Sequence, residues 1–162
     1  MDKHTRIWTE YLPLPEDQAT KALPLNASFE HQASLMGGYD SSEAYSSREL
    51  FYNTYVHGRY TIWDSFIRRW IDKNDTALFL GSGRAINEIL LHVDGYDVTC
   101  SDQGIPSCID ATNQLFGQIR YLPLDILAAP STETYDVLVS LSMAYLFDQD
   151  ALDTFFANAA KS

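Results

Sequence analysis

The chain has 162 residues, of which 46% are hydrophobic and 20% charged, and its 22 acidic against 11 basic side chains give a formal net charge of −11. That length and composition fit one globular body able to bury a core, and they exclude disorder throughout. No run approaches the ~18 apolar residues of a membrane helix, and the first residues lead into no apolar signal stretch, so a cytoplasmic, membrane-free setting is expected. The charge is uneven. Residues 1–75 carry 8 basic and 11 acidic side chains, whereas residues 76–162 carry 3 and 11. A second half at −8 repels phosphate backbones and argues against nucleic acid as a partner.

Residues 1–45 read as an arm or lid. Leu12-Pro13-Leu14-Pro15 and Leu23-Pro24-Leu25 interrupt any helix there, and Gly37-Gly38 adds a break. The apolar Ile7, Trp8, Tyr11, Phe29 and Leu35 indicate that this arm packs on something. Residues 46–74 turn helical, with Phe51, Tyr55, Ile62, Phe66, Ile67 and Trp70 at spacings near three and four and Gly58 as a break between two segments. Tyr52, Tyr55, His57, Arg59 and Tyr60 crowd that break, either as aromatics at a helix–core boundary or as a roof over a ligand. Arg68, Arg69 and Lys73 form the one small basic cluster, read as a solvated helix face.

From Thr76 the pattern changes to alternating strands and helices. Thr76-Ala77-Leu78-Phe79-Leu80 is a continuous apolar run suited to a parallel strand covered on both faces, and Gly81-Ser82-Gly83 is a glycine turn that opens a helix. In that helix Ile86, Ile89, Leu90 and Val93 share the buried face, and Asn87 and Glu88 are expected to point outward. Gly95 to Asp102 gives a turn and a second strand, joined by a right-handed parallel crossover. Ile105, Ile109, Thr112, Leu115 and Phe116 form a helical stripe with Pro106 in the first turn. Ile119–Leu124 is a third strand, placed at an edge because Pro123 cannot donate to a ladder. Tyr135–Leu141 is a fourth strand, and Asp150–Ala160 a last helix burying Leu152, Phe155 and Phe156. Cys100 and Cys108, the only cysteines, lack the companions of a zinc site and read as reduced packing residues, so no metal is expected.

Three polar features fall at the carboxyl ends of successive strands: Gly81-Ser82-Gly83, Asp102 and Asp125. In open α/β sheets ligands bind at that edge, and a carboxylate ~20 residues beyond the glycine turn takes ribose hydroxyls. Asp102 lies 19 residues beyond Gly83. A dinucleotide fold would put a third glycine at position 86, where Ile86 stands, and the Lys-Ser or Lys-Thr of a P-loop is missing. The turn therefore suits a nucleoside without pyrophosphate.

Over about residues 76–160 the chain resembles the class I S-adenosylmethionine-dependent methyltransferase family. Leu78-Phe79-Leu80-Gly81-Ser82-Gly83-Arg84-Ala85 is similar to its first motif, Val98-Thr99-Cys100-Ser101-Asp102 to its second, and Leu124-Asp125-Ile126 to its third. Tyr135 to Ser140 is similar to its fourth-strand segment. The resemblance implies an α/β Rossmann-like parallel sheet over residues 75–162, strand order 3-2-1-4, with an N-terminal helical region. It implies S-adenosylmethionine as cofactor, with the Gly81 to Gly83 backbone at its methionine part, Asp102 on the ribose diol, and Asp125 with the Ile126 amide on the adenine edge. Gln103, Ser140, Tyr60 and Arg59 complete the expected cofactor-contacting set, and Ser140, Ser142 and Tyr145 lie where the family often seats its acceptor.

Phe79 stands where the family has an acidic residue, Ala85 replaces a common third glycine, and the family's last strands are missing. The chain is thus expected to be truncated, or to be completed by another copy or a partner through an exposed apolar fourth strand. Two functions remain open: a methyltransferase acting on a small-molecule nitrogen or oxygen nucleophile, its catalytic residues unassigned, and a non-catalytic methyltransferase-like interaction subunit. A nicotinamide-dependent oxidoreductase ranks below both because of Ile86.

Overall fold

The computed structural model describes residues 47, 48, 51, 52, 60–141 and 143–162, without the side chains of Thr61 and Tyr145. All belong to one unit, Tyr39–Ser162. The expectations for the arm, for the break at Gly58, and for Tyr55, His57, Arg59, Ser142 and the Tyr145 side chain lie outside the described residues.

In chain order the elements are α1 (Tyr60–Trp70), β1 (Thr76–Leu80), α2 (Ile86–Val93), β2 (Asp97–Asp102), α3 (Ile109–Phe116), β3 (Arg120–Pro123), β4 (Val137–Ser140), a 3-10 turn (Ala144–Leu146) and α4 (Gln149–Ala159). The four strands form one sheet in the order β3-β2-β1-β4, with every pairing parallel. Phe79 pairs with Cys100 on one side and Val139 on the other, and Leu80 with Ser101 and Ser140. β1 is central, and residues 77–80 are buried, as a strand covered on both faces requires.

Side chains alternate between the two faces. Ala77, Phe79, Val98 and Cys100 point to the side where Ile67 and Ile71 of the α1 region and Ile86, Ile89 and Leu91 of α2 pack. Leu78, Leu80 and Leu138 point to the other side, where Ile126 and Phe155 of α4 close the core. Arg48, Phe51 and Tyr52 are helical, and Phe51 is fully buried with its ring 4.6 Å from that of Phe116. Asp148 caps α4 by accepting from the Ala151 N–H at 2.9 Å, as its place one residue before the helix favours.

Several expectations are corrected. Val93 is exposed, because α2 ends there and the chain turns through Asp94 and Gly95. Ile105 is also exposed, and α3 starts at Ile109 because Pro106 sits in a preceding turn, its carbonyl accepting the Ile109 N–H at 3.1 Å. Of the last helix only Phe155 is buried; Leu152 is half-buried and Phe156 exposed, since a helix at the side of a short sheet covers it with a narrow stripe. In the basic cluster Arg69 and Lys73 are exposed, as a solvated face requires, but Arg68 and Lys73 also act as a staple. Arg68 bridges Asp64 and Asp94, Lys73 donates to the Asp94 carbonyl at 2.5 Å, and both cations lie over the Tyr96 ring. No helix among the described residues is long and apolar enough to cross a membrane.

Candidate functional site at the carboxyl edge

The turn after β1 is built from left-handed backbone: Gly81 has φ 72°, Gly83 φ 51° and Ala85 φ 56°. Glycine adopts this freely, while an alanine there costs roughly 1–2 kcal/mol. Ala85 is held by its buried methyl, fully enclosed among Ile86, Ile89 and Ile109, and by its N–H, which donates to the Ser82 carbonyl at 2.8 Å. It thus takes the backbone conformation that a third glycine would take.

Ser82 stitches the turn to β2. Its N–H donates to the Ser101 carbonyl at 2.9 Å, its hydroxyl donates to the Phe79 carbonyl at 3.2 Å, and its Oγ accepts the Ser101 N–H at 3.2 Å. Gly83 is held on both sides of its residue: the N–H donates to Asp102 Oδ2 at 3.0 Å, and the carbonyl accepts the Tyr121 hydroxyl at 2.8 Å. Asp102 is therefore the hub of the edge. Its Oδ1 accepts the Gln103 N–H at 2.8 Å, and its carbonyl accepts the Leu124 N–H at 2.7 Å, fixing the end of β3 beside that of β2. A carboxylate has about four acceptor sites, so after two bonds this half-buried group retains capacity for a ligand's hydroxyls.

The remaining expected residues divide. Asp125 is exposed at the end of β3 and turns its Oδ1 onto the Leu127 N–H at 3.0 Å, so the side chain shapes its own turn. Ile126 is buried against Leu78 and Leu80, and its carbonyl accepts from Asn158 of α4 at 2.8 Å. Ser140 is exposed at the end of β4, level with Leu80. Tyr60 packs beside the Ala85 and Ile86 cluster and offers its carbonyl to Asn87 Nδ2 at 2.8 Å. Ser82, Gly83, Asp102 and Gln103 are thus tied into the turn and the end of β2 by hydrogen bonds, and Gly81 precedes them in the same turn. Asp125, Ile126 and Ser140 lie at the same edge with the separate partners just described.

The sequence pattern missed Glu88, Tyr121 and Met143. Asn87 and Glu88 do not point outward; they are 3% and 5% exposed. The first turn of α2 is covered by α1 and by the glycine turn, so polarity on that face meets protein instead of water. Burial pushes the Glu88 carboxyl up to about 7, against the N–H groups of Glu88 and Asn87, which favour its ionised form. The usable sequence signal was a glutamate three places after Ala85, where a side chain can fold back on its own helix start. Cys100, next to it, is a buried thiol pushed well up by burial. Tyr121 is likewise raised, first by burial and then by Asp102, so its hydroxyl stays a donor. Among the described residues no three His, Cys, Asp or Glu side chains are grouped to hold a metal ion.

Fold and site together define an α/β protein with an all-parallel four-stranded sheet and a polar network around a glycine turn at its carboxyl edge. Compared with protein-family models and with curated proteins, the chain gives no match.

Proposed function

We propose that the chain is a methyltransferase of the S-adenosylmethionine-dependent kind, with a Rossmann-like fold, acting on a small-molecule nitrogen or oxygen nucleophile in the cytoplasm. One observation carries the reading: the Asp102 carboxylate at the end of β2 reaches the Gly83 N–H at 3.0 Å, so the ribose-type carboxylate and the bare turn share one location. Ile86, buried in the core, stands where a dinucleotide fold has its third glycine for close helix–strand packing, which favours a nucleoside ligand over a dinucleotide.

The residues fit such a ligand by their chemistry. Asp102 has acceptor capacity for a diol, and Gly81 and Gly83 present backbone without a side chain of their own. When bound, the cofactor supplies a methyl group on a positively charged sulfur, transferable in line to an acceptor lone pair. The protein's part is positioning and exclusion of water. Tyr121 and Asp102 hold Gly83 from both sides, which fixes the turn before any ligand arrives.

Isothermal titration with S-adenosylmethionine and with its demethylated product tests this. Binding is expected for both, and Asp102→Asn should weaken it at least tenfold. Absence of heat and of a thermal shift at millimolar ligand would sink the reading. A second function, a methyltransferase-like subunit that docks a partner strand, is favoured by β4, which lies at the sheet's edge with apolar residues on both of its faces. Light scattering separates the two: a monomer that binds the nucleoside supports the enzyme.

A further inference from the structure

The glycine at the end of β1 is not bare to solvent. A Cβ built on Gly81 would lie 2.0 Å from Met143 Sδ and 2.6 Å from Met143 Cγ, so the thioether of Met143 rests directly on the Gly81 backbone. No other described glycine is approached this way: Gly83, Gly95 and Gly104 have nothing within 4 Å of that position, and Gly117 has only a His92 nitrogen at 3.7 Å. Met143 follows β4 by three residues, and β4 is the strand that lies on the opposite side of β1 from β2 and β3. That boundary is where the strand order reverses and where open α/β sheets seat their ligands.

The side chain is lightly held. It is half-buried, packed against the Leu78, Leu80, Ile126 and Phe155 cluster, with three rotatable bonds and no polar anchor of its own. The backbone beneath it is fixed, because the Met143 carbonyl accepts the Leu146 N–H at 2.9 Å in the 3-10 turn. A movable apolar arm on a fixed base, covering the one glycine at the ligand boundary, can yield to a ligand that reaches that glycine.

Resting on the function proposed above, we propose that Met143 occupies, in the unliganded protein, the space over Gly81 that the ligand's sulfur-bearing chain takes on binding, and so determines which ligands reach the glycine backbone. Its ethylene–sulfur–methyl chain has the same atoms as the methionine end of such a ligand, so the exchange replaces one thioether-like group with another and leaves no void. A nucleoside without that chain binds at the Asp102 side and leaves Met143 in place.

The test uses the full chain, Met143→Ala and Met143→Leu, titrated calorimetrically with S-adenosylhomocysteine and with adenosine. Removing the self-occupying side chain should tighten S-adenosylhomocysteine binding by roughly three- to tenfold, as expected when a competing internal state is abolished; Met143→Leu should stay near wild type, and adenosine should bind all three alike. In protein labelled with ¹³C at the methionine methyls, the Met143 signal, identified by its loss in Met143→Leu, should move with S-adenosylhomocysteine and not with adenosine. Adenosine binding with unchanged or weaker S-adenosylhomocysteine binding in Met143→Ala, or a stationary Met143 methyl, overturns the inference and leaves the nucleoside site standing. No binding of either ligand to any variant overturns both.

Discussion

Replacing Glu88 by glutamine should change how stability depends on pH, and the size follows from its burial. The carboxyl is lifted from an ordinary 4.5 to about 7 in the folded protein. At 1.36 kcal/mol per pH unit, that lift links about 3 kcal/mol of stability to one proton. The native state holds the proton more tightly than the unfolded chain, so between about pH 4.5 and 7 unfolding releases it. The contribution is therefore complete below about pH 4.5, declines as pH rises through the window, and is gone above about pH 7. Glu88→Gln cannot ionise and keeps an acceptor for the Asn87 and Glu88-position N–H groups. Denaturant melts of both proteins at pH 5, 6, 7 and 8 give a difference in which every other titrating group cancels. The variant should gain on wild type by most of about 3 kcal/mol across that range, equivalent to roughly 6–12 °C in Tm for a chain of this size. Any cost of losing a good carboxylate cap would displace the two curves by a constant. Parallel curves would refute the reasoning, since they would mean that Glu88 titrates alike in the folded and unfolded states.

Other expectations can be checked by simple melts. Tyr121→Phe deletes the hydroxyl that holds the Gly83 carbonyl and should cost about 0.5–1.5 kcal/mol while leaving the sheet intact by circular dichroism. Gly81→Ala forces a side chain into left-handed backbone at φ 72° and onto Met143, and should cost at least about 1–2 kcal/mol together with weakened S-adenosylhomocysteine binding. Phe155→Ala removes the buried ring that docks α4 on Leu78 and Leu80, a loss of about 3–5 kcal/mol visible as an early unfolding midpoint.

The central strand and its turn were legible because a parallel strand buried on both faces must be apolar throughout, and a left-handed turn must be rich in glycine. Thr76–Leu80, Gly81 and Gly83 satisfy both demands in eight residues. Pro123 at the edge was legible for the same local reason, the lack of a donor. Asn87 and Glu88 were not, because helical spacing ranks the faces of a helix without saying what covers each one. Here a second helix and the glycine turn cover the polar face, and hydrogen bonds from Asn87 to the Tyr60 carbonyl and from the helix-start N–H groups to Glu88 compensate for it. Tyr121 and Met143 were out of reach for a related reason: they come from β3 and from beyond β4, and only the closed sheet brings them to a turn some 40 and 60 residues earlier. Asp94 and Tyr96 gave no local hint that they would receive Arg68 and Lys73.

That last pairing limits how the protein can move. α1 is pinned to α2 near both ends, by the Tyr60 carbonyl on Asn87 at the start and by Arg68 and Lys73 on Asp94 at the finish. The two helices therefore run side by side as a single plank bolted to the sheet, and α1 has no free end about which to pivot as a flap.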